Sequence, residues 1–442
     1  MKFTKKFAAV AVAALALVGT TACSNSKSND SSSSKSADIP TKITKKTTVV
    51  FWHGMTGTQE KTLQSLTKDF EKKNPNITVK LENQGKYTDL QAKINSTLQS
   101  PNNLPTITQA YPGWLLNAAN SKRLVDMTPY INNSKIGWGS AKKSDIREEL
   151  LKGAQIKGTQ YGIPFNKSVE MLTYNKDLLD KYGVKVPKTM AELKAASKKI
   201  YEKSNHKVVG AGFDSLSNYY VLGMKDEGVN FSKNINFTGS KSKKVINYYA
   251  DGIKAGYFKT AGSAGYLSGD FSNQKVAMFV GTSAGEGFVK MGVGNKFQYG
   301  VAPRPSKYNM QQGTDIYMFN KGTAEQKAAA FMYIKYLLGK NQQLTWADQT
   351  GYIPVTNNVI NSSAYKNSTK SKVPAQLDKA MKNLYSVPVV KNSNAAYTQL
   401  NSIMQNIFAQ AKKGQNWNSQ IDAGKTCLLY TSPSPRDSTS AR

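Results

Sequence analysis

A serine flanked by glycines is the pattern in this 442-residue chain that could carry covalent chemistry. Residues 281–285, Gly-Thr-Ser-Ala-Gly, have the G-x-S-x-G form of a hydrolase nucleophile and follow an apolar run of strand type at 276–280. A hydrolase with that motif needs a histidine after the serine, whereas both histidines, His53 and His206, precede Ser283. We therefore interpret the segment as a glycine-rich turn into a helix, whose N–H groups and hydroxyls are open to an anion or a sugar hydroxyl.

Metal and cofactor chemistry has equally little support in the sequence. The two histidines and the two distant cysteines, Cys23 and Cys427, are too few for the usual zinc sites. There is no phosphate loop, and Gly292-Val293-Gly294 lacks the third glycine of a dinucleotide-binding fingerprint. The sequence predicts no catalysis, no metal and no cofactor, and it provides no usable cysteine pair for a disulfide.

A polar and aromatic stretch at 161–189 is the strongest candidate for ligand binding. Gly162 and Pro164 require an extended chain that a helix does not accommodate, and the alternation of residues 169–174 predicts a strand. The hydrogen-bond donors and aromatic rings of this stretch belong to Phe165, Asn166, Lys167, Ser168 and Tyr174. They suit a small hydroxylated or anionic ligand, although an ordinary loop and a buried strand would have the same pattern.

The elements that must position these residues alternate between strands and helices. Strands are predicted at 49–52, 77–81 and 105–111, and the first helix opens with a capping box of Thr56 and Gln59. This order predicts a parallel sheet flanked by helices, with ligands at the carboxyl ends of the strands. The aromatic residues at those ends are Trp52, His53, Tyr87, Tyr111 and Trp114. Each could alone be a core residue, but together they favour a binding edge.

A second α/β unit is predicted beyond residue 189. A helix at 190–204 is followed by a strand at 208–213, and helical periodicity returns at 245–256. The exit of the strand, at 214–220, is polar and aromatic. It adds the ligand-binding candidates Asp214, Asn218 and Tyr219.

Two further segments are interpreted as crossings between halves of the molecule. The first is at 301–305, Val-Ala-Pro-Arg-Pro, and the other is at 351–354. Between them, Thr323 and Gln326 predict a capping box, and further helices are predicted at 374–384 and 395–413. The ligand-binding candidates in this part are Gly313, Thr314 and Tyr352.

Both ends of the chain differ in composition from the rest. Residues 1–22 have a basic start and an apolar run, which predicts a lipoprotein signal peptide with Cys23 as the lipidated N-terminus; a plain secretion signal is the alternative. The Ser- and Lys-rich residues 23–46 are predicted to form a disordered tether. Residues 427–442 have no periodicity, and we interpret them as a non-native read-through tail that includes Cys427. A genuine disordered tail is the alternative.

The charge is strongly basic, with 60 Lys and Arg against 28 Asp and Glu and a net charge of +32. Such a field attracts anionic ligands and anionic surfaces. The lysines are spread over predicted helix faces and no groove-reading motif is present, so the sequence predicts no nucleic-acid partner. Most of these lysines are interpreted as a solvated surface.

Three motifs in the same order resemble those of family 1 extracellular solute-binding proteins, the ligand-capturing subunits of bacterial ABC importers. The first is VVFWHGMTG at 49–57, the second is YGIPFNKS at 161–168 followed by YNKD, and the third is TGYIPVT at 350–356. The first motif is similar to that of the glycerol-3-phosphate-binding members. The resemblance runs from about residue 47 to about residue 420.

The resemblance implies a two-lobed α/β fold of the type II periplasmic-binding-protein kind, with a central cleft and three hinge crossings. Lobe 1 would comprise 47–161 and 304–350, and lobe 2 would comprise 162–303 and 351–426. Closure of the cleft would bury a small-molecule ligand and present it to the permease subunits. The resemblance further implies a monomer anchored by its lipid on the extracellular face of the cell membrane.

Site residues also follow from the resemblance. Tyr87 matches the family's Gly-x-Tyr contact, and Ser168, Ser283 and Gly313 match further contacts. Three positions depart from the pattern of the glycerol-phosphate binders. Pro112 stands where they have an acidic residue, and residues 213–220 replace their paired tryptophans. Their phosphate-holding arginine near the end of the chain has no arginine counterpart here, and Lys391 is the nearest cation in the sequence. A lysine lacks the bidentate fork of an arginine. Two ligand classes therefore stay open: glycerol-3-phosphate or a glycerophosphodiester, and a neutral sugar or oligosaccharide.

A different class of function is also open at this point. A basic cell-surface adhesin would bind polymer with a steep dependence on salt and would have no saturable site for a small ligand.

Overall fold

The computed structural model describes residues 39–138, 143–232 and 234–431. Within these ranges the strands are β1 (Thr47–His53), β2 (Ile77–Asn83), β3 (Ile107–Ala110), β4 (Gly162–Asn175), β5 (Val209–Phe213), β6 (Phe258–Thr260), β7 (Val276–Thr282), β8 (Tyr299–Pro303), β9 (Asn309–Met318) and β10 (Leu384–Tyr385). They form one mixed sheet in the order β2-β1-β3-β9-β4-β7-β5-β6, with β8 on β4 and β10 on β9.

Helices cover the sheet. They are α1 (Gly57–Lys73), α2 (Tyr87–Thr97), α3 (Leu116–Asn120), α4 (Thr128–Ile131), α5 (Glu148–Gly153), α6 (Lys176–Tyr182), α7 (Met190–Lys203), α8 (Leu216–Asp226), α9 (Ser240–Lys254), α10 (Ser268–Ser272), α11 (Glu286–Val293), α12 (Ala324–Leu337), α13 (Lys340–Thr350), α14 (Asn357–Ile360), α15 (Ser363–Lys366), α16 (Pro374–Ala380), α17 (Ser393–Lys412) and α18 (Asn418–Thr431). The α/β class predicted from the alternating periodicity is confirmed.

The sheet has two halves that share β4. In the first half, β1 is parallel to β2 and β3, and β9 runs antiparallel between β3 and the start of β4. In the second half, β5 is parallel to β6 and β7, while the end of β4 is antiparallel to β7 and β8. Each half has its own buried core, one around Phe51 and Phe331 and the other around Phe213 and Tyr220. The extended chain predicted from Gly162 onward is therefore the strand that joins the two halves.

The strand beside β4 at this junction is β9, which begins shortly after the segment predicted as the second crossing. The segment at 301–305 was interpreted as the second crossing, but β8 (Tyr299–Pro303) pairs with the end of β4 and stays in the second half. Proline is compatible with an edge strand such as β8, so the prolines there do not mark a crossing. The segment at 351–354 does lie against β4, where the Ile353 N–H donates to the Lys167 carbonyl over 2.8 Å.

Helix ends follow the local sequence signals with two exceptions. The Thr323 hydroxyl and the Gln326 side chain form the predicted capping box of α12, and Gly183 ends α6 in the left-handed conformation with φ 62°. At α1 the predicted capping box is absent, because the Thr56 side chain makes no cap hydrogen bond. The segment at 374–384 is a helix only to Ala380, and its last residue, Leu384, begins β10.

The two ends of the described chain are packed. Ile39 is buried in the first core, and the Asn76 amide donates to the Ile43 carbonyl over 3.0 Å, so residues 39–46 lie on the folded half and not in the predicted tether. At the other end, α18 continues across position 427 to Thr431, and Leu428 packs in the second core. The predicted signal peptide at 1–22, Cys23, and residues 432–442 of the predicted tail lie outside the described residues. Among the described helices, none is both long and apolar enough to cross a membrane.

Candidate ligand-binding cleft

Four aromatic side chains gather where the first half of the sheet meets the crossing strands. Tyr87 begins α2, Tyr111 directly follows β3, and Trp114 lies in the next turn. The Tyr87 ring centre is 5.9 Å from that of Tyr111 and 6.1 Å from that of Trp114, and the last two are 5.2 Å apart. The Tyr352 hydroxyl lies 3.2 Å from the Tyr87 hydroxyl. We call Tyr87, Tyr111, Trp114 and Tyr352 the aromatic cluster.

Polar groups from β4 and β9 tie this cluster to the crossing strands. The Asn166 side-chain amide donates to the Tyr87 hydroxyl over 3.1 Å. The Thr314 hydroxyl donates to the side-chain oxygen Oδ1 of Asn166 over 2.8 Å. The Gly313 N–H donates to the Tyr111 hydroxyl over 3.3 Å. The structure thus brings six of the predicted site residues into one network: Tyr87, Tyr111, Asn166, Gly313, Thr314 and Tyr352.

The phenols of the cluster are held in their neutral form. Burial raises the pKa of Tyr87 and Tyr111 well above the ordinary value and that of Tyr352 to about 12. In each case the nearby phenol of Tyr266 adds to the increase in pKa. The cluster therefore presents neutral hydroxyls, which can donate and accept hydrogen bonds, together with aromatic faces.

Gly313 has a structural reason to be glycine. Its φ is +84°, and a Cβ atom at this position would lie 2.0 Å from the Asn166 carbonyl oxygen. Gly313 pairs with Lys167, next to the point where the β4–β9 register shifts between Pro164 and Asn166. The backbone pairing of the crossing strands thus requires a residue without a Cβ at position 313.

Lys167 is buried, as are Asn166 and Ser168, which were grouped with it as hydrogen-bond donors. Its ammonium group contacts the Asp315 carboxylate and the Gly313 carbonyl between β4 and β9. Ser168 is buried opposite Gln312 in the same ladder. The Ser283 hydroxyl, also buried, accepts from the Val169 N–H over 3.4 Å.

The glycine-rich turn at 281–285 has the predicted conformation. Residues Ser283–Gly285 form a single 3-10 turn that leads into α11, and the Thr282 hydroxyl accepts from the Ala284 N–H over 3.3 Å. The side chains of this turn thus bond to backbone groups. This is consistent with a turn into a helix and not with a nucleophile, since both histidines lie elsewhere in the chain.

A second polar network lies in the second half of the sheet. The Glu170 carboxylate lies 3.0 Å from the Arg304 guanidinium and accepts from the Asn218 amide over 2.8 Å, while the Tyr397 hydroxyl donates to Asn218. Asp214 accepts from the Leu267 N–H over 2.9 Å. Burial raises the pKa of Asp214 to about 8, and the charge of Glu170 adds to the increase.

Three of the predicted site residues occupy the core. The Trp52 indole N–H donates to Glu82 over 2.9 Å, and the His53 Nδ1 accepts from the Met55 N–H over 3.2 Å. The Tyr219 hydroxyl donates to the Val280 carbonyl over 3.1 Å. All three side chains are at most 5% exposed, so the alternative of a core aromatic describes them better than a place at the binding edge.

A groove of about 200 Å³ lies outside the aromatic cluster, none of whose residues lines it. Thr58 and Gln59 at the start of α1 line one side, and residues 286–291 of α11 line the other. Its floor includes Thr350 and Gly351, which directly precede Tyr352. The groove thus lies between an element of the first half and an element of the second.

Comparison with known proteins agrees with this geometry. A family model described as bacterial extracellular solute-binding protein matches residues 65–375. The chain belongs to this family. Family membership confirms the sequence-based prediction of a solute-binding protein of the ABC-importer type that is not an enzyme.

Relatives of this solute-binding protein include the sn-glycerol-3-phosphate-binding periplasmic protein UgpB of Brucella melitensis, which is 24% identical over 353 residues, 74% of this chain and 77% of the relative. Among solved structures, UgpB from Mycobacterium tuberculosis in complex with glycerophosphocholine has a TM-score of 0.75 at 17% identity, with 87% of this chain and 98% of that chain covered. The GacH receptor of Streptomyces glaucescens, solved with acarbose, has a TM-score of 0.73 at 21% identity, with 86% and 98% covered. These likenesses confirm the two-lobed periplasmic-binding-protein fold.

Several residues of the site in this solute-binding protein were missed by sequence reasoning. The Gln109 amide donates to Thr314 over 3.1 Å and its carbonyl oxygen accepts from the Gly54 N–H over 3.0 Å. An amide side chain within the short strand β3, between Thr108 and Ala110, was the available signal. Glu170 gave a similar signal, as a charged residue inside β4.

Proposed function

We propose that this solute-binding protein captures a small polar solute, glycerol-3-phosphate or a glycerophosphodiester, by closure of its two halves and delivers it to the permease of an ABC importer. The observation that carries the proposal is the hydrogen-bonded chain from Tyr352 through Tyr87 and Asn166 to Thr314, because it joins ligand-type side chains to both crossing strands. Family membership and the names of the relatives support the solute class.

The proposed contacts are the residues of this network together with neighbours on the second half. Neutral hydroxyls and amides suit the hydroxyls of a glycerol moiety. Ser168 and Ser283 lie next to the network, and Asp214 and Asn218 would face the solute from the second half. Trp52, His53 and Tyr219 are left out of the proposed site because the Trp52 indole bonds to the partly exposed Glu82 carboxylate and the polar atoms of His53 and Tyr219 bond to backbone groups.

One observation favours a second candidate, a neutral sugar or oligosaccharide. Among the described residues two cationic side chains are buried, Lys167 and Arg304, and each already faces a carboxylate. A phosphate would have to be neutralised by other groups, whereas a sugar needs only hydroxyl partners and aromatic faces.

A binding screen tests the proposed function and separates the two ligand classes. Titration calorimetry of the purified protein against sn-glycerol 3-phosphate, glycerophosphocholine and maltotriose should give saturable one-to-one binding to at least one of them. Bound solute should also raise the melting temperature. Lack of binding to every polyol phosphate and saccharide tested would contradict the proposal.

We also propose that the protein is a monomeric lipoprotein on the extracellular face of the cell membrane. The basis is the sequence around Cys23. Labelling of cells with an alkyne-bearing fatty acid should tag the wild-type protein and leave the Cys23→Ser variant untagged. Recovery of wild-type protein in the medium without label would contradict anchoring.

A further inference from the structure

The lysines of this chain are not spread evenly over its helices. Residues 181–207, which include the end of α6 and all of α7, contain eight lysines against two glutamates. Residues 57–83, a stretch of equal length that includes α1 and β2, contain five lysines against four acidic residues. The α6–α7 stretch thus has a local excess of positive charge that the α1 stretch lacks, and such an excess attracts anionic partners.

Four of these lysines form two rows along α7. Lys194 and Lys198 are four residues apart, as are Lys199 and Lys203, so the members of each pair stand one turn apart on the helix surface. Like charges at this spacing destabilise a helix. The ion pairs of the described residues include none of these four ammonium groups. The repulsion is therefore not relieved by a direct ion pair within the described chain. We call the four side chains the α7 lysine face.

Two exposed alanines separate the rows. Ala191 and Ala195 lie on the side of α7 opposite to its buried stripe, which includes Leu193 and Ile200. Lysine side chains are much longer than those of the alanines, so the ammonium groups extend beyond them on both sides. In the last turn of α7, Glu202 is also exposed on this side. Two parallel rows of cations with short side chains between them suit a broad, flat anionic surface.

Internal contacts hold one ammonium group of each row in place. The Lys199 ammonium donates to the Gly183 carbonyl at the end of α6 over 2.8 Å, and the Lys194 ammonium lies 5.9 Å from the centre of the Tyr248 ring on α9. The Tyr248 hydroxyl in turn donates to the Met190 carbonyl over 2.6 Å. One row thus leans towards α6 and the other towards α9, which spreads the positive charge over a wide face.

The stretch offers charge and no exposed apolar anchor. The large apolar side chains that the described chain exposes are Tyr266, Phe288, Met291 and Val390, and none of them lies at 181–207. The groove between α1 and α11 is also formed by other residues. A partner on this face must therefore be broad and anionic, and it must be bound by ammonium groups. The headgroup layer of an anionic bilayer meets these conditions.

We propose that the α7 lysine face docks on the anionic phospholipid headgroups of the cell membrane. The inference rests on the proposed location of the protein at that membrane. Residues 24–38 separate Cys23 from the buried Ile39, and a chain of fifteen residues spans at most about 50 Å. A lipid on Cys23 thus keeps the folded chain near the bilayer, and a lipid combined with a basic face binds a membrane more firmly than the lipid alone.

Vesicle co-sedimentation of the mature chain tests the inference, with Cys23→Ser so that no lipid is attached. The probes are vesicles of phosphatidylglycerol and phosphatidylcholine in equal parts, and vesicles of phosphatidylcholine alone. Wild type should bind the anionic vesicles and not the neutral ones. Binding should fall at least about tenfold when NaCl is raised from about 0.05 M to about 0.5 M, because the contact is electrostatic and salt screens it.

Removal of charge from the α7 lysine face should locate the contact. The quadruple variant Lys194→Gln/Lys198→Gln/Lys199→Gln/Lys203→Gln should bind the anionic vesicles at least about tenfold more weakly than wild type. Glutamine keeps a similar helix propensity, so the circular dichroism spectrum should be unchanged. Solute affinity should also be unchanged, because α7 is not part of the proposed site.

The matched control is Lys61→Gln/Lys68→Gln/Lys72→Gln/Lys73→Gln on α1. It removes the same charge from an exposed helix and likewise includes an ammonium group over a ring, Lys73 at Tyr336. Its binding to the anionic vesicles should change by less than about threefold. Equal losses in the two quadruple variants would mean that net charge alone attracts the bilayer, and they would overturn the inference.

The remaining outcomes separate this inference from its alternatives and from the proposed lipid anchor. Binding of linear polyphosphate through the α7 lysine face, without binding of the anionic vesicles, would assign the face to a soluble polyanion and overturn docking on lipid. Absence of vesicle binding in a protein whose Cys23 does take up the fatty-acid label overturns the inference alone. Vesicle binding through α7 in a protein that takes up no label overturns the anchor and supports the inference.

Discussion

The Lys167 ammonium group lies 2.9 Å from the Asp315 carboxylate, and both side chains are at most 3% exposed between the two crossing strands. The same ammonium also donates to the Gly313 carbonyl over 3.0 Å. Burial raises the pKa of Asp315, whereas the Lys167 charge acts in the opposite direction. The pair thus links β4 to β9 where the two halves of the molecule join.

Removal of one partner of this ion pair should destabilise the folded protein strongly. Lys167→Met leaves the Asp315 carboxylate buried without its counter-charge and should lower the free energy of unfolding by about 3–5 kcal/mol. Urea unfolding followed by circular dichroism measures the loss. The double variant Lys167→Met/Asp315→Leu removes both charges and should recover most of it; a double variant as unstable as the single one would show that the contact with Gly313 matters more.

Gly313→Ala should destabilise the crossing strands through both strain and steric overlap. An alanine at this position would have to adopt the positive φ of Gly313. Its Cβ would lie 2.0 Å from the backbone carbonyl oxygen of Asn166. Gly158→Ala is the matched control, because Gly158 has a φ of +80° and open space around its Cβ position. The control should lose about 1 kcal/mol in thermal unfolding, and Gly313→Ala should lose clearly more. Equal losses of stability in the two variants would show that the steric overlap of the new Cβ with β4 contributes nothing.

The hydroxyl pair of Tyr87 and Tyr352 should matter for binding more than for folding. Tyr352→Phe removes one of the two partners of the Tyr87 hydroxyl and should weaken binding of glycerophosphocholine or maltotriose, whichever wild type binds, by about tenfold. Tyr333→Phe removes a comparable buried bond, 2.7 Å to Thr67, in the first core. It should cost similar stability and leave the calorimetric affinity unchanged. A similar affinity loss in both variants would point to a general effect on the fold.

Asp214 should make stability depend on pH. Its pKa is about 8 in the folded chain against an ordinary value of 3.8, with burial as the main cause. Between these values the folded state binds a proton that the unfolded state has released, so the free energy of unfolding should fall as the pH rises from about 4 to about 8. Glu170, Tyr219 and Tyr266 are the titratable groups electrostatically coupled to it.

Asp214→Asn carries no titrating proton and should lose less stability over the same range. Melting temperatures of both proteins at pH 5 and pH 8 provide the comparison. The same change in melting temperature between pH 5 and pH 8 in both proteins would mean that Asp214 titrates near its ordinary pKa in the folded protein.

Local patterns in the sequence predicted the elements well. The period-two alternation at 169–174 and the signals at Gly183 and Thr323 agree with β4, α6 and α12, because these features depend on neighbours along the chain. The segment at 301–305 was interpreted as a crossing, and the structure has it as β8 on the end of β4, with β9 then pairing along the first part of β4. That pairing is decided by tertiary contacts such as the Arg304–Glu170 ion pair, which joins residues far apart in sequence.

The site was predicted in part for the same reason. Tyr87, Tyr111 and Tyr352 were found from strand ends and motifs, and the structure brings them together with Asn166. Trp52 and His53 also follow a strand pattern, but their side chains point into the packed interior.

The position of β9 between β3 and β4 has a consequence for biosynthesis. The first half cannot complete its sheet until residues as late as Met318 have left the ribosome, and the second half still needs α17, which begins at Ser393, to cover its core. Neither half can therefore mature while most of the polypeptide is still being made. Chains terminated early are expected to give proteolytically sensitive fragments and not a single stable half.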